Sequence, residues 1–147
     1  MEEINFEQKE VIIIRGPPGS GKSTEVENTY PSAVVCSADH YFYEVAEQNG
    51  TTYLEEFKPY LVGMAHQHCW GAFIRALCVQ NRETIVVDNT NIRKWEYQNY
   101  VLLAKIYGYS VTIVEVPITE TAEVYHERNT HGVPLEVIQR MMDDYEV

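Results

Sequence analysis

Gly16-Pro17-Pro18-Gly19-Ser20-Gly21-Lys22-Ser23-Thr24 limits what this chain can fold into more than any other stretch. It satisfies G-x-x-x-x-G-K-[ST] straight after the apolar run at 11–14, with Arg15 between, and straight before a helical stretch. Strand, glycine-rich turn and helix in that order make a phosphate-binding loop. The glycines Gly16, Gly19 and Gly21 allow the backbone to wrap closely and aim its N–H groups inward, with Ser20 inside the same wrap. The following helix adds its positive N-terminal end. Lys22 is suited to the β- and γ-phosphates, Ser23 to Mg²⁺ and Thr24 to the α-phosphate. With Gly near ~7% of residues, the four fixed positions arise by chance in roughly one chain in 200 of this length. The flanking strand and helix lower that further, so a nucleoside triphosphate such as ATP, with Mg²⁺, is the expected ligand.

The rest of the chain repeats the same alternation. Short β-branched runs fall at 11–14, 33–36, 84–87 and 110–116, separated by helical stretches at 22–28, 60–80, 95–107, 120–129 and 134–142. That pattern predicts an α/β fold with a mostly parallel four-stranded sheet layered between helices. The first three runs are almost continuously apolar, as strands covered on both faces are, whereas SVTIVEV alternates and belongs nearer an edge. Leu61, Met64, Ala65, Cys69, Ala72, Phe73, Ala76 and Leu77 recur at the spacing of one buried helical face. Pro134 suits a first helical position. Residues 41–56 show no clear period and read as loop or irregular helix. With 147 residues and no linker-like segment, a single domain over 1–147 is expected.

Composition narrows the partners. The net charge is −11, with 11 Lys plus Arg against 22 Asp plus Glu. An extended nucleic-acid-binding face needs a basic stripe that this chain cannot supply, so any nucleic-acid partner must be met at one end or one phosphate. No apolar run approaches the ~20 residues of a membrane span. The acidic opening MEEINFEQKE lacks the apolar core of a secretory signal, and three cysteines at unrelated spacings suit a reducing, cytoplasmic setting.

Further candidates lie where strands end, since ligands of parallel sheets gather at the carboxyl ends. Asp39 follows the second run, taken here as the neighbour of the phosphate-loop strand. It can accept a proton from an attacking hydroxyl or simply cap a helix. Asp88 ends the third run as a Walker-B acid does and can hold Mg²⁺ with Ser23. Asn89 and Asn91 can touch substrate or form Asx turns, and Arg93 can meet an acceptor phosphate or sit in solvent at a helix start. Arg128 can close over the phosphates or sit at an exposed helix end. His126 and His131 flank Arg128 and read as solvent-exposed. Tyr41, Phe42 and Tyr43 can stack on a base or pack in the core.

Together GPPGSGKST, SADHYF, VVDNTN and RNTHGVPLEVIQRM, in this order, resemble the kinase domain of polynucleotide 5′-kinases and related small P-loop ATPase-like modules. The resemblance spans about residues 11–142. It implies a P-loop kinase-like fold with a C-terminal helical lid, and transfer of the γ-phosphate of ATP to the 5′-hydroxyl of DNA or RNA. It implies Lys22, Asp39 and Arg128 as catalytic residues, with Asp39 the general base and Arg128 the lid arginine. Two positions depart from the pattern. Phe42 stands where viral members carry an acceptor-side arginine, and His131-Gly132 stands where a second lid arginine would be. Both departures remove positive charge from the acceptor side. A small-molecule kinase on the same scaffold, or a non-catalytic nucleotide-binding switch, therefore stay open beside the polynucleotide reading.

Overall fold

The four β-branched runs become four strands: β1 (Glu10–Arg15), β2 (Val34–Cys36), β3 (Thr84–Asp88) and β4 (Ser110–Glu115). In the computed structural model, which describes residues 8–147, they form one all-parallel sheet in the order β2-β3-β1-β4. The first seven residues, on which the reading of the acidic opening largely rests, lie outside the described residues. Strand pairing sets Ile12 of β1 beside Val86 of β3 and Thr112 of β4. β4 lies at one edge, as its alternation predicts, and β2 lies at the other.

Among the described residues, seven α-helices connect and cover the sheet. They are α1 (Lys22–Thr29), α2 (Asp39–Asn49), α3 (Tyr53–Glu56), α4 (Val62–Ile74), α5 (Lys94–Ile106), α6 (Ala122–Arg128) and α7 (Leu135–Asp144). Alternation along the strands divides the core in two. Ile12, Ile14 and Val86 pack with Val26 of α1, while Val11, Ile13, Ile85 and Val87 pack with Cys69 and Phe73 of α4 and Tyr100 and Ala104 of α5. These strand residues are wholly buried, each worth roughly 1.5–3 kcal/mol relative to exposure. The result is the helix–sheet–helix layering the alternation predicts. A separate cluster of Ala122, Tyr125 and Ile138 joins α6 to α7.

Several expectations are corrected. Residues 41–56 are regular helix for the most part, forming α2 and α3 around a left-handed Gly50. Within α2 only Phe42 and Ala46 are buried, so one apolar pair replaces the broad stripe that would mark the helix in sequence. The long helix expected at 60–80 divides into a 3₁₀ turn (Pro59–Leu61), α4 and a π turn (Arg75–Val79), and Met64 on its expected buried face is exposed. Pro134 precedes α7 in extended conformation and is not its first helical residue. β2 is not next to the phosphate-loop strand, because β3 lies between them.

Arg15, the last residue of β1, is the largest side chain the fold buries almost completely. Its guanidinium donates to the carbonyls of Asn91 (2.7 Å), Ile92 (2.9 Å) and Glu146 (2.6 Å) and pairs with Glu115 at 2.8 Å. The rings of Tyr97 and Tyr145 lie 4.9 and 4.5 Å from it. A planar fork with five donors can satisfy this many partners at once, as a lysine cannot. Arg15 thereby fixes the strand end from which the glycine-rich turn departs.

Candidate active site

The turn between β1 and α1 is built by backbone conformation. Gly19 and Gly21 hold left-handed φ of 79° and 97°, and Ser20 N–H donates to the Pro17 carbonyl at 3.2 Å. A Cβ on Gly19 would run into the Tyr125 carbonyl of α6, so the loop and the C-terminal helices interlock at this point. Gly16 and Ser20 pack on each other behind the loop, where a Cβ on Gly16 would meet Ser20 Oγ. That hydroxyl is buried with no hydrogen-bond partner, and so is Nδ2 of Asn129 beyond α6. Unpaired buried polar atoms are costly in a native fold, and Asn129 lines the same cleft as the loop, where a polar ligand can pair its Nδ2.

The loop opens onto a cleft of about 940 Å³ at the carboxyl end of the sheet. Lys22, Ser23 and Thr24 line it from α1, Asp88 and Asn89 from the end of β3, Asp39 from α2, Arg128 from the last position of α6 and His131 from the turn after it. Lys22 Nζ donates to the Pro17 carbonyl at 3.0 Å. Burial lowers the Lys22 ammonium below its ordinary range, with the charges of Asp88 and Asp39 acting against it. Burial likewise raises the Asp88 carboxyl, with Lys22 opposing and Asp39 reinforcing the rise. A lysine and two carboxylates therefore share one partly dry space, where charges act more strongly than in water. Ser23 and Asp88 offer hard oxygen donors on one side of it, which fits Mg²⁺ held by one or two protein oxygens plus those of a phosphate.

Asp39 is the first residue of α2, one past the N-cap position, which Ala38 holds. Its amide donates to Ser37 Oγ at 3.2 Å, while its carboxylate is directed elsewhere. Tyr53 OH donates to Oδ1 at 2.6 Å, and His131 Nδ1 lies 3.5 Å from Oδ2. The capping alternative thus does not describe this residue. Asn89 sets the approach of α2: its Oδ1 accepts from Ala38 N–H at 2.9 Å, and its Nδ2 reaches Cys69 Sγ at 3.5 Å.

Besides Gly16 and Ser20, which pack on each other and do not line the cleft, two expected site residues stand outside it. Asn91 is buried with a φ of 48° and donates through Nδ2 to the Ile14 carbonyl at 2.8 Å, a structural tie between β1 and the turn after β3. Arg93 pairs with Asp144 at 2.8 Å and lines a separate small groove with Trp95 and Arg140. The left-handed turn at Asn91 leads the chain away from the cleft before Arg93 is reached. His131, expected in solvent, instead contacts Asp39, while His126 is exposed. Phe42 is buried with Tyr53 and Phe57 and Tyr43 is about half exposed, and all four rings line the cleft. Tyr53 and Asn129 were not singled out by sequence. The one signal for Tyr53 is its place within a dense aromatic stretch, and Asn129 carries none beyond following Arg128.

Comparison with known proteins agrees with this geometry. The model of the AAA domain family (AAA_33) matches residues 11–147. The chain belongs to this family. A human relative, NEDD4-binding protein 2, is 34% identical over 143 residues, which is 92% of this chain and 8% of that protein. The chain thus spans less than a tenth of the length of that relative. Among solved structures, a chain of the Pnkp1/Rnl/Hen1 complex superposes with a TM-score of 0.60 at 19% identity, covering 86% of this chain and 41% of that one. A gluconokinase from Sinorhizobium meliloti 1021 gives 0.52 at 18% identity, covering 94% and 75%. The AAA domain described here therefore has the P-loop kinase-like fold, and the resemblance drawn from its four sequence segments holds at that level. Among the described residues, no helix is long and apolar enough to cross a membrane.

Proposed function

We propose that this domain transfers the γ-phosphate of ATP to a hydroxyl, with the 5′-hydroxyl of DNA or RNA as the leading acceptor. The observation that carries the reading is Asp39, whose carboxylate faces the cleft shared by the phosphate loop instead of capping its helix. Lys22 and the amides of Gly19 and Gly21 hold the phosphates. The acceptor oxygen attacks the γ-phosphorus, the bond to the β–γ bridging oxygen breaks, and the acceptor's proton passes to Asp39. Arg128 offsets charge on the transferring group. It is half exposed, and its nearest acid, Glu120, is 3.9 Å away, so little holds it from a phosphate. Mg²⁺, held by Ser23 and Asp88, would supply further charge neutralisation on the phosphate oxygens. Positioning and electrostatics are the main demands of phosphoryl transfer, and these residues meet both.

A second acceptor class has its own support. On the acceptor side the cleft is walled by Phe57, Val62, Ala65 and the rings of Tyr43 and Tyr53, and Lys22 and Arg128 are the only Lys or Arg lining it among the described residues. An uncharged hydroxyl compound, such as a nucleoside or sugar, suits that wall.

The deciding experiment supplies ATP labelled at the γ-phosphate and Mg²⁺ to a 5′-hydroxyl oligonucleotide. Label is expected on the oligonucleotide and is expected to fall by on the order of 10²–10³ in Lys22→Ala. Bound ATP without transfer to the oligonucleotide, but with transfer to a nucleoside or sugar, would assign the second class.

A further inference from the structure

Asp39 is held from two directions. Tyr53 belongs to α3 and fills Oδ1 with a short phenolic hydrogen bond, 2.6 Å long. His131 belongs to the turn after α6, three residues beyond Arg128, and approaches Oδ2 through Nδ1 at 3.5 Å. Its other nitrogen, Nε2, lies 2.9 Å from the hydroxyl of Tyr43. The turn itself is well defined: Asn129 Oδ1 accepts from His131 N–H at 3.1 Å, and Gly132 has a left-handed φ of 70°. It rests against α3, since a Cβ on Gly132 would come 2.9 Å from Leu54 and the Tyr53 ring lies 4.6 Å from that of His131.

We propose that His131 is a positioning residue for Asp39, so that seating the turn that follows Arg128 also orients the carboxylate that receives the acceptor's proton. The proposal rests on reading Asp39 as the base. A carboxylate turns about its last bond unless its oxygens are held, and a misplaced base loses rate steeply. Tyr53 alone fixes one oxygen. His131 stands beside the second at 3.5 Å, an ion-pair distance and not a closed hydrogen bond, and that oxygen keeps its lone pairs for the acceptor hydroxyl. The groups facing the imidazole are Asp39 and Tyr43 from α2, Tyr53 from α3 and, at longer range, Asp88 from β3. Acids lie on the Nδ1 side and a phenol that can donate lies on the Nε2 side, an arrangement that suits the tautomer with its proton on Nδ1, facing Asp39. Both side chains of the pair are partly exposed, at 26% and 41%, and such a pair contributes little to stability. Its effect belongs to orientation. An arginine at this position would instead present its charge to a phosphate, and His131 replaces that role with a contact to the base.

Two measurements on the full chain test this. The ¹⁵N resonances of the His131 ring, recorded without nucleotide or acceptor, are expected to report a protonated Nδ1 whose signal moves in Asp39→Ala. A bare Nδ1, or a spectrum indifferent to Asp39→Ala, overturns the proposal. In turnover, His131→Ala is expected to lower kcat on the order of ten- to a hundredfold while KM for ATP changes less than about threefold. His131→Asn, which retains a donor, is expected to recover part of the loss. An undiminished kcat in His131→Ala overturns the proposal as well. If the wild-type chain transfers no phosphate to any hydroxyl, the functional reading fails, and the ring spectrum still decides whether His131 is held on Asp39.

Discussion

Asp39 joins two demands that usually conflict, since a base must be held still and must also remain able to take a proton. Burial, together with the hydrogen bond to Asp39, raises the Tyr53 hydroxyl well above its usual range, so the proton stays on the tyrosine. Asp39→Asn keeps an oxygen for Tyr53 and removes the basic one. Turnover is expected to fall on the order of 10²–10⁴, with ATP affinity nearly unchanged, as read by single-turnover transfer beside a direct binding titration. If affinity and turnover declined together, Asp39 would be part of the nucleotide site and not the base. At this scale the sequence was informative where chemistry is local. Lys22, Ser23 and Thr24 are ordered by one contiguous turn, and all three line the cleft. It was silent where chemistry is assembled from afar. Tyr53 and His131 meet Asp39 across 14 and 92 positions of chain, and no spacing rule connects such residues. Asn91 and Arg93 lie outside the cleft for a related reason, because Asn91 is itself left-handed and redirects the chain after β3.

Among the elements, the strands were legible because burial on both faces leaves continuous apolar runs, and their bounds differ from expectation by a residue or so. Helix α2 was not, since two buried positions in eleven residues leave no stripe to detect. Arg15 escaped notice for the opposite reason, as a charge at the end of an apolar strand looks like the start of the surface. Its partners come from the β3–α5 turn, β4 and the C-terminal segment, so it ties four parts of the chain together. Arg15→Met keeps apolar bulk but deprives the carbonyls of Asn91, Ile92 and Glu146 of their donor. Hydrogen bonds to a charged group are worth about 1.5–3 kcal/mol each, offset here by relief of burying the guanidinium, so a net loss of about 3 kcal/mol is expected in urea unfolding. Arg15→Lys should recover little of it, because an ammonium lacks the planar fork and the ring stacking. A loss below about 1 kcal/mol would mean that water re-pairs the carbonyls and that the C-terminal segment is held by other contacts.

For the whole molecule, charge sets how an acceptor can be gripped. The chain carries −11 overall, and the cleft has Lys22 and Arg128 as its Lys and Arg lining among the described residues. Each phosphate neutralised on a single strand releases counterions and contributes a slope of roughly −0.7 in log affinity against log salt. Even if both cations touched an oligonucleotide, the slope could not be steeper than roughly −1.4, and with ATP engaging them it should approach zero. Affinity must then come from the rings that face the cleft, where base stacking is worth about 1–3 kcal/mol per base and is insensitive to salt. The measurement is KM for a 5′-hydroxyl oligonucleotide at saturating ATP across a series of salt concentrations, repeated with acceptors shortened to a single nucleoside. A flat salt response with little loss on shortening would fix recognition on the terminal base and sugar. A slope near −4 would require a run of cations along the strand, which this acidic chain does not present, and would place the acceptor on some other surface than the aromatic wall beside Asp39.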